Sequence, residues 1–182
     1  MKRENTPLLE TERLILRRFT ACDLTDMLAL YSDEEVNRFL PWFPLRTFSE
    51  AEAYLYGQIL PEYQKEIAYR YAVVYKPDSR LVGYVSLCGA DEDRACGDLG
   101  YGLRREYWNR GIMTEAAGAV LDKLCGNGFQ YITATHDRDN PASGAVMRKL
   151  GMRYCYSYAE LWQPKNFRVI FDLYRIDFNK TN

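Results

Sequence analysis

The sequence predicts an α+β fold with six to seven strands and about four helices. Two observations lead to this prediction. In the middle of the chain, over 68–103, apolar residues alternate with polar ones, and short polar segments separate the runs as in a meander of strands. Before and after this region, apolar residues recur at three- and four-residue spacing, which is typical of amphipathic helices.

The composition indicates a globular chain that folds as one domain over 1–182. Its formal net charge of −1 argues against a general nucleic-acid binder, since such proteins carry a basic excess. There is no run of eighteen apolar residues, and the start, MKRENTPLLETERL, lacks the apolar segment of a secretion signal. We therefore expect no nucleic-acid partner, no membrane segment and a cytoplasmic location.

The cysteines give no indication of a metal site or of disulfide bonds. There are five of them, widely spaced, and no two have CxxC spacing. A zinc site needs clustered ligands, and a disulfide framework needs paired cysteines. We therefore expect reduced thiols and no bound metal.

The first third of the chain predicts one strand and two helices. Residues 11–20 alternate as a strand, and Asp23 is placed to cap the helix that follows. Two prolines break any regular element over 39–44. The three large aromatic side chains there could line a substrate pocket, but we expect them to close over the core. Ser49 opens a second helix to about residue 66, with Glu52 completing a capping box.

The remainder predicts a meander followed by alternating helices and strands. Residues 68–75 and 80–87 form a hairpin, and a third strand runs over 98–103. A helix over 114–125 ends at a glycine-rich turn.

A further strand over 129–134 then leads to the last helix. Asn140 is a strong N-cap because Pro141 follows it at the first helical position. Two strands, about 154–160 and 167–177, close the chain.

The segment 103–116, LRREYWNRGIMTEA, is the most informative part of the chain. It joins a strand to a helix through a turn with three arginines, Arg104, Arg105 and Arg110. The first amides of a helix have no intrahelical acceptor, and the helix dipole makes this end positive. Gly111 allows close approach of the main chain. A phosphate or diphosphate suits such a turn, although most strand–turn–helix junctions bind nothing.

Three motifs stand out in the second half of the chain: DLGYGL at 98–103, WNRGIMTEA at 108–116 and NPASGAVMRKLGM at 140–152. In this order and at these separations, they resemble the motifs of the GNAT N-acetyltransferases. The likeness covers nearly the whole chain and is greatest to the branch of ribosomal-protein N-terminal acetyltransferases, the Rim-type enzymes. TERLILRRF near the start and Glu115 are also typical of that branch. The resemblance implies a GNAT fold, with a mixed and mostly antiparallel central sheet.

The resemblance also implies acetyl-CoA as cosubstrate. Main-chain N–H groups of the turn would hold its diphosphate, and the residues concerned are Trp108, Asn109, Arg110, Gly111, Ile112, Met113 and Thr114. The strand segment Tyr101, Gly102 and Leu103 would pair with the pantetheine arm. Asn140 and Ser143 match positions near the pantetheine and the thioester sulfur.

Three positions depart from the family pattern. Trp108 stands where Gln or Arg is usual, and Met113 stands where Gly or Ala is usual. Met147 replaces a tyrosine that, in many relatives, protonates the departing thiolate. Ser143 lies four residues earlier on the same helical face and is the nearest substitute hydroxyl.

These residues suggest direct transfer in a ternary complex. An amine attacks the acetyl carbonyl, with Asp98 as candidate base and Ser143 as candidate proton donor. Each residue also has an ordinary structural explanation, as a strand-end carboxylate and a first-turn serine.

Other readings of the chain stay open at this point. Met147 is compatible with a catalytically impaired CoA-binding regulatory module, whereas a nucleotide-binding protein would need a phosphate motif that the chain lacks. The acceptor is a protein N-terminus, a polyamine, an aminoglycoside or a small amine. We expect its pocket around 39–43 and 162–167. Exposed strand edges and aromatic side chains are compatible with a homodimer.

Overall fold

The computed structural model describes residues 4–91 and 95–178. Within these ranges the chain forms one eight-stranded sheet and four α-helices, which confirms the predicted fold class. The strands are β1 (Leu9–Glu10), β2 (Leu14–Arg17), β3 (Tyr69–Tyr75), β4 (Arg80–Asp91), β5 (Cys96–Leu103), β6 (Tyr131–Asp137), β7 (Arg153–Trp162) and β8 (Phe167–Asp177). The helices are α1 (Leu24–Ser32), α2 (Phe48–Tyr54), α3 (Ile112–Gly126) and α4 (Pro141–Lys149).

The strand order in the sheet is β1-β2-β3-β4-β5-β6-β8-β7. Every neighbouring pair is antiparallel except β5 and β6, which are parallel. The described strand count exceeds the predicted six to seven because Leu9–Glu10 adds a two-residue edge strand, which is too short to show a periodicity.

The two faces of the sheet carry separate cores. Tyr71 and Val73 of β3 point into the core that contains α3, whereas the intervening Ala72 packs with α1 and α2. Alternate residues of a strand face opposite sides, so α1 and α2 cover one face and α3 covers the other. None of the described helices is long and apolar enough to cross a membrane.

The start and the course of the second helix differ from the prediction. The capping box uses Thr47 and Glu50 rather than Ser49 and Glu52, and the Thr47 hydroxyl accepts the Glu50 N–H at 3.2 Å. Two overlapping Ser/Thr-x-x-Glu patterns occur here, and the pattern alone does not choose between them. The helix then continues as a π-turn over Leu55–Ile59 and a 3-10 segment over Leu60–Gln64.

Two of the three aromatic side chains between α1 and α2 do not close over the core as expected, whereas Phe39 is half-buried. Trp42 is 37% exposed and Phe43 is 60% exposed. The two prolines keep the segment free of regular structure, and these rings therefore lie at the surface of the α1–α2 face.

Candidate active site

The turn before α3 presents the amides that the sequence predicts for an anion site. Gly111 is the N-cap with φ +72°, and Asn109 also lies in the left-handed region with φ +58°. The first intrahelical bond runs from Glu115 N–H to the Gly111 carbonyl at 3.0 Å. The amides of Ile112, Met113 and Thr114 precede that bond and lie at the positive end of the helix dipole. We call the main chain of 109–114 the cradle.

Three side chains of the cradle segment pack elsewhere in the protein. Ile112 and Met113 are buried in the core beneath α3, so the methionine that replaces a small residue does not fill the turn. The Arg110 guanidinium stacks over the rings of Tyr75 and Tyr107, at 5.2 and 5.3 Å from their centroids. At these three positions the cradle therefore offers backbone rather than side-chain groups to a ligand.

Two of the three arginines in the turn are engaged by acidic residues, contrary to the expectation of a basic turn. Arg104 forms an ion pair with Asp26 at 3.1 Å, and Arg105 forms one with Asp33 at 2.7 Å. These pairs join the turn to α1 and offset the charge of these two arginines, whereas the Arg110 guanidinium lies over two tyrosine rings. The helix amides add to the positive potential of the cradle.

A carboxylate fastens the cradle to the N-terminal strands. Glu115 accepts the hydroxyl of Thr11 at 2.6 Å and the main-chain N–H of Arg13 at 3.0 Å, and the Arg13 guanidinium donates to it at 2.6 Å. The same guanidinium also donates to the Arg110 carbonyl at 2.9 Å. Burial alone would raise the pKa of Glu115, but these hydrogen bonds outweigh it and the pKa is lowered.

Beside the cradle, the sheet opens between β5 and β6. Their parallel pairing ends at Asp98 and Thr133, and no register is shared by 99–103 and 134–137. We call this opening the gap. The Arg104 N–H donates to the Val82 carbonyl at 2.8 Å. In the antiparallel β4–β5 pair this bond determines the alternation along β5, that is, which residues direct their main-chain N–H and C=O groups to β4 and which direct them away from it.

That alternation divides the predicted pantetheine-binding residues into two groups. The main-chain groups of Tyr101 and Leu103 point into the gap, whereas those of Gly102 point to β4. The Leu103 carbonyl accepts the indole N–H of Trp108 at 2.7 Å, which holds that ring at the strand end. A Cβ on Gly102 would lie 2.5 Å from the ring of Tyr84, so the glycine is needed for packing.

The N-terminus of α4 borders the gap from the other side. Asn140 is the N-cap, and its side chain accepts the Ser143 N–H at 3.3 Å, as the sequence predicts. The Tyr101 hydroxyl lies 2.9 Å from the Ser143 carbonyl and 3.0 Å from its Oγ. Met147 is only 1% exposed and belongs to the core. The structure thus brings Ser143 to the gap and buries the side chain of Met147 in the core.

Asp98 lies where β5 and β6 separate. Its carboxylate accepts the hydroxyl of Thr133, the facing residue of β6, at 2.9 Å. Burial raises the pKa of Asp98 above its ordinary value, and the hydrogen bond from Thr133 offsets part of the rise. A carboxylate of raised pKa is a stronger base than one in water.

One of the two segments predicted to border the acceptor pocket, 162–167, contacts the chain just before the other, 39–43. The Nζ of Lys165, in the β7–β8 turn, donates to the carbonyls of Asn37 and Arg38 at 3.1 and 3.3 Å. Behind this contact, Trp162 packs on Phe171 with ring centroids 4.8 Å apart. Burial lowers the pKa of Lys165. Sequence reasoning did not single out this lysine, because only the fold shows which carbonyls it reaches.

His136 is buried between β6 and α4, where it packs against the main chain. It is 7% exposed, and its Nδ1 lies 2.7 Å from the Asp137 carbonyl. A Cβ on Gly144 would lie 2.6 Å from its Nε2, so the glycine allows α4 to approach β6 closely.

A GNAT acetyltransferase domain model matches residues 13–153, a range that includes the cradle, the gap and α4. The chain belongs to the GNAT acetyltransferase family. The prediction of an acetyltransferase is thereby confirmed. The uncharacterized N-acetyltransferase YoaA of Bacillus subtilis (strain 168) is 26% identical over 148 residues, which cover 81% of this chain and 83% of that protein.

Solved structures show the same fold at lower identity. The ribosomal-protein-S5-alanine acetyltransferase from Vibrio fischeri superposes with a TM-score of 0.76 at 21% identity, over 97% of this chain and 99% of that one. The microcin C7 self-immunity acetyltransferase MccE, solved with acetyl-CoA and AMP, superposes with a TM-score of 0.81 at 18% identity, over 92% and 93%.

Proposed function

We propose that the protein transfers the acetyl group of acetyl-CoA to a primary amine by direct attack in a ternary complex. The observation that carries this proposal is the juxtaposition of the cradle with the gap. The cradle offers three helix amides to a diphosphate, and the adjacent gap offers the main-chain groups of Tyr101 and the Leu103 N–H to an extended arm. MccE, which shares the fold, was solved with acetyl-CoA.

In this reaction Asp98 and Ser143 each have one role. The amine nitrogen forms a bond to the acetyl carbon and gives up a proton to Asp98, directly or through water. A backbone N–H of β5 stabilises the oxyanion. The carbon–sulfur bond then breaks, and Ser143 donates a proton to the sulfur and regains one from solvent. The products are the acetylated amine and CoA, and most of the acceleration comes from alignment of the reactants.

The acceptor is a protein N-terminus or a small amine. Its proposed entrance lies where the Lys165 contact joins the β7–β8 turn to the α1–α2 segment. The motifs shared with Rim-type enzymes favour a protein N-terminus. The exposed aromatic side chains of the α1–α2 segment also suit a peptide, which presents apolar side chains beside its amine.

The second candidate function is a CoA-binding module without transfer activity. Its supporting observation is Met147, a core residue at the position of the usual tyrosine. Acetyl-CoA and a panel of N-terminal peptides, polyamines and small amines would separate the two, with thiol release and product mass as readouts. We expect turnover with at least one amine. Binding of acetyl-CoA without turnover on any of them would favour the module.

A further inference from the structure

We propose that Tyr101 is a positioning residue, whose hydroxyl orients the Ser143 hydroxyl toward the sulfur of CoA. The inference rests on the proposed function and names a residue for the sulfur end of its site. Beyond the pairing with β6, the Tyr101 side chain leaves β5 and reaches the first turn of α4. There its hydroxyl lies within hydrogen-bond distance of both the carbonyl and the Oγ of Ser143.

The two contacts allow two arrangements of protons. In one, the phenol donates to the Ser143 carbonyl and accepts the serine proton, so Ser143 has nothing to donate. In the other, the phenol donates to Oγ, and the serine proton is free to point into the gap. A thiolate in the gap favours the second arrangement, because only that one gives it a hydrogen bond. Tyr101 keeps its own proton throughout.

Ser143 needs such a partner because the hydroxyl is otherwise free to rotate. A serine hydroxyl has several staggered positions, and only one of them points to the sulfur. The Met147 side chain, one turn further along α4, is in the core and supplies no hydroxyl. Burial raises the pKa of Tyr101 to about 12, against the opposing effect of Ser143, so the phenol remains a donor through the neutral range.

The test measures the ionisation of bound CoA and needs no acceptor. CoA labelled with 13C at the carbon attached to sulfur reports the thiol pKa through the chemical shift of that carbon. Hydrogen bonds to a thiolate lower its pKa, so we expect bound CoA to titrate lower in the wild type than in Ser143→Ala, by about one unit. Tyr101→Phe should move it part of the way toward Ser143→Ala.

Two further variants separate positioning from a general effect on the fold. In Tyr101→Phe/Ser143→Ala the thiol should titrate as in Ser143→Ala alone, because Tyr101 acts through the serine. Tyr174→Phe is the matched control. Tyr174 is also buried beside α4, and its hydroxyl accepts a hydrogen bond from the guanidinium of Arg148 at 3.2 Å. It should leave the thiol pKa unchanged. Once an acceptor is known, Tyr101→Phe should lower kcat about fivefold with the KM for acetyl-CoA unchanged.

A Tyr101→Phe protein that binds CoA and titrates like the wild type overturns the inference and leaves the proposed function standing. A double variant that shifts the thiol pKa beyond Ser143→Ala also overturns it, since Tyr101 would then act independently of the serine. A wild-type protein that binds no CoA overturns the proposed function and the inference together.

Discussion

Glu115 in the first turn of α3 forms an ion pair with Arg13, the residue before β2, although the two are 102 positions apart in the chain. The Arg13 guanidinium reaches the carboxylate at 2.6 Å and the Arg110 carbonyl at 2.9 Å. One side chain therefore fixes both the helix and the turn that precedes it. The conformation of the cradle thus depends on a strand from the other end of the chain.

Glu115→Gln should loosen the cradle. The amide keeps the size of the side chain but loses the charge that pairs with Arg13, and a charge-assisted hydrogen bond contributes about 1.5–3 kcal/mol. We expect the free energy of unfolding to fall by about 1–2 kcal/mol and acetyl-CoA to bind roughly tenfold more weakly. Urea unfolding and calorimetry measure the two effects.

Glu10→Gln is the matched control for that variant. Glu10 pairs with Lys76 at 2.7 Å but is 66% exposed at its side chain. Exposed pairs contribute little, so stability should change by less than about 0.5 kcal/mol and acetyl-CoA affinity should not change. Equal affinities for Glu115→Gln and the wild type would show that the cradle does not depend on this anchor.

The lowered pKa of Glu115 predicts how this difference varies with pH. A carboxyl whose folded pKa is below its unfolded value of 4.5 stabilises the fold above that value, and the contribution is lost as the pH falls through the folded pKa. The stability difference between wild type and Glu115→Gln should therefore be complete near neutrality and shrink below about pH 4.5. Denaturation series from pH 7 to pH 3 would show it. A constant difference would argue against the ion pair.

The helix starts and turns of the site could be predicted from neighbouring residues of the sequence. The side-chain contacts that join distant parts of the site could not. The cap at Asn140 and the turn from strand to helix around Gly111 follow from residues within a few positions of each other. The Glu115–Arg13 pair and the Tyr101–Ser143 contact join segments that are far apart in the sequence, and the spacing of apolar residues does not predict such contacts. The Thr47 cap was misplaced because two equivalent patterns overlap.

Asp98→Asn tests the assignment of the base. Because burial raises the pKa of Asp98 above 3.8, the acid limb of kcat/KM should lie above that value in the wild type. The variant should show no acid limb in the pH profile of kcat/KM, and its kcat should be at least about tenfold lower than that of the wild type.

Stability gives an independent check on Asp98. A raised carboxyl pKa means that the folded state disfavours the charged form, so wild-type stability falls as the pH rises through the raised pKa. Asp98→Asn should lack that fall and be the more stable protein at pH 7. A kcat within about twofold of wild type would remove Asp98 from the mechanism.

Gly111→Ala should strain the cradle through its backbone. A Cβ there would meet only the Arg13 guanidinium at 3.6 Å, which is ordinary contact, but φ is +72°. The left-handed conformation costs about 1–2 kcal/mol for a residue with a Cβ. Gly126→Ala, at the other end of α3 with no atom within 4 Å, should instead be neutral or slightly stabilising. Thermal unfolding distinguishes them, and similar melting temperatures would contradict the strained turn.

Lys165→Met should release the β7–β8 turn from the α1–α2 segment. We expect the KM for the amine to rise by about threefold to tenfold, while kcat and acetyl-CoA affinity stay unchanged, because the contact lies away from the cradle. Lys65→Met, which removes a 63% exposed side chain, is the control. Steady-state kinetics with an active amine would decide, and an unchanged KM would place the acceptor elsewhere.

The central claim is that the main chain of 109–114 holds the diphosphate of coenzyme A. Backbone amide NMR of the 15N-labelled protein during titration with CoA tests it most directly. We expect the amide resonances of Ile112, Met113 and Thr114 to shift most strongly, and Gly111→Ala to weaken the binding of CoA. If saturating CoA leaves these three amide resonances unshifted, or if the largest shifts occur on another surface of the protein, the claim is contradicted.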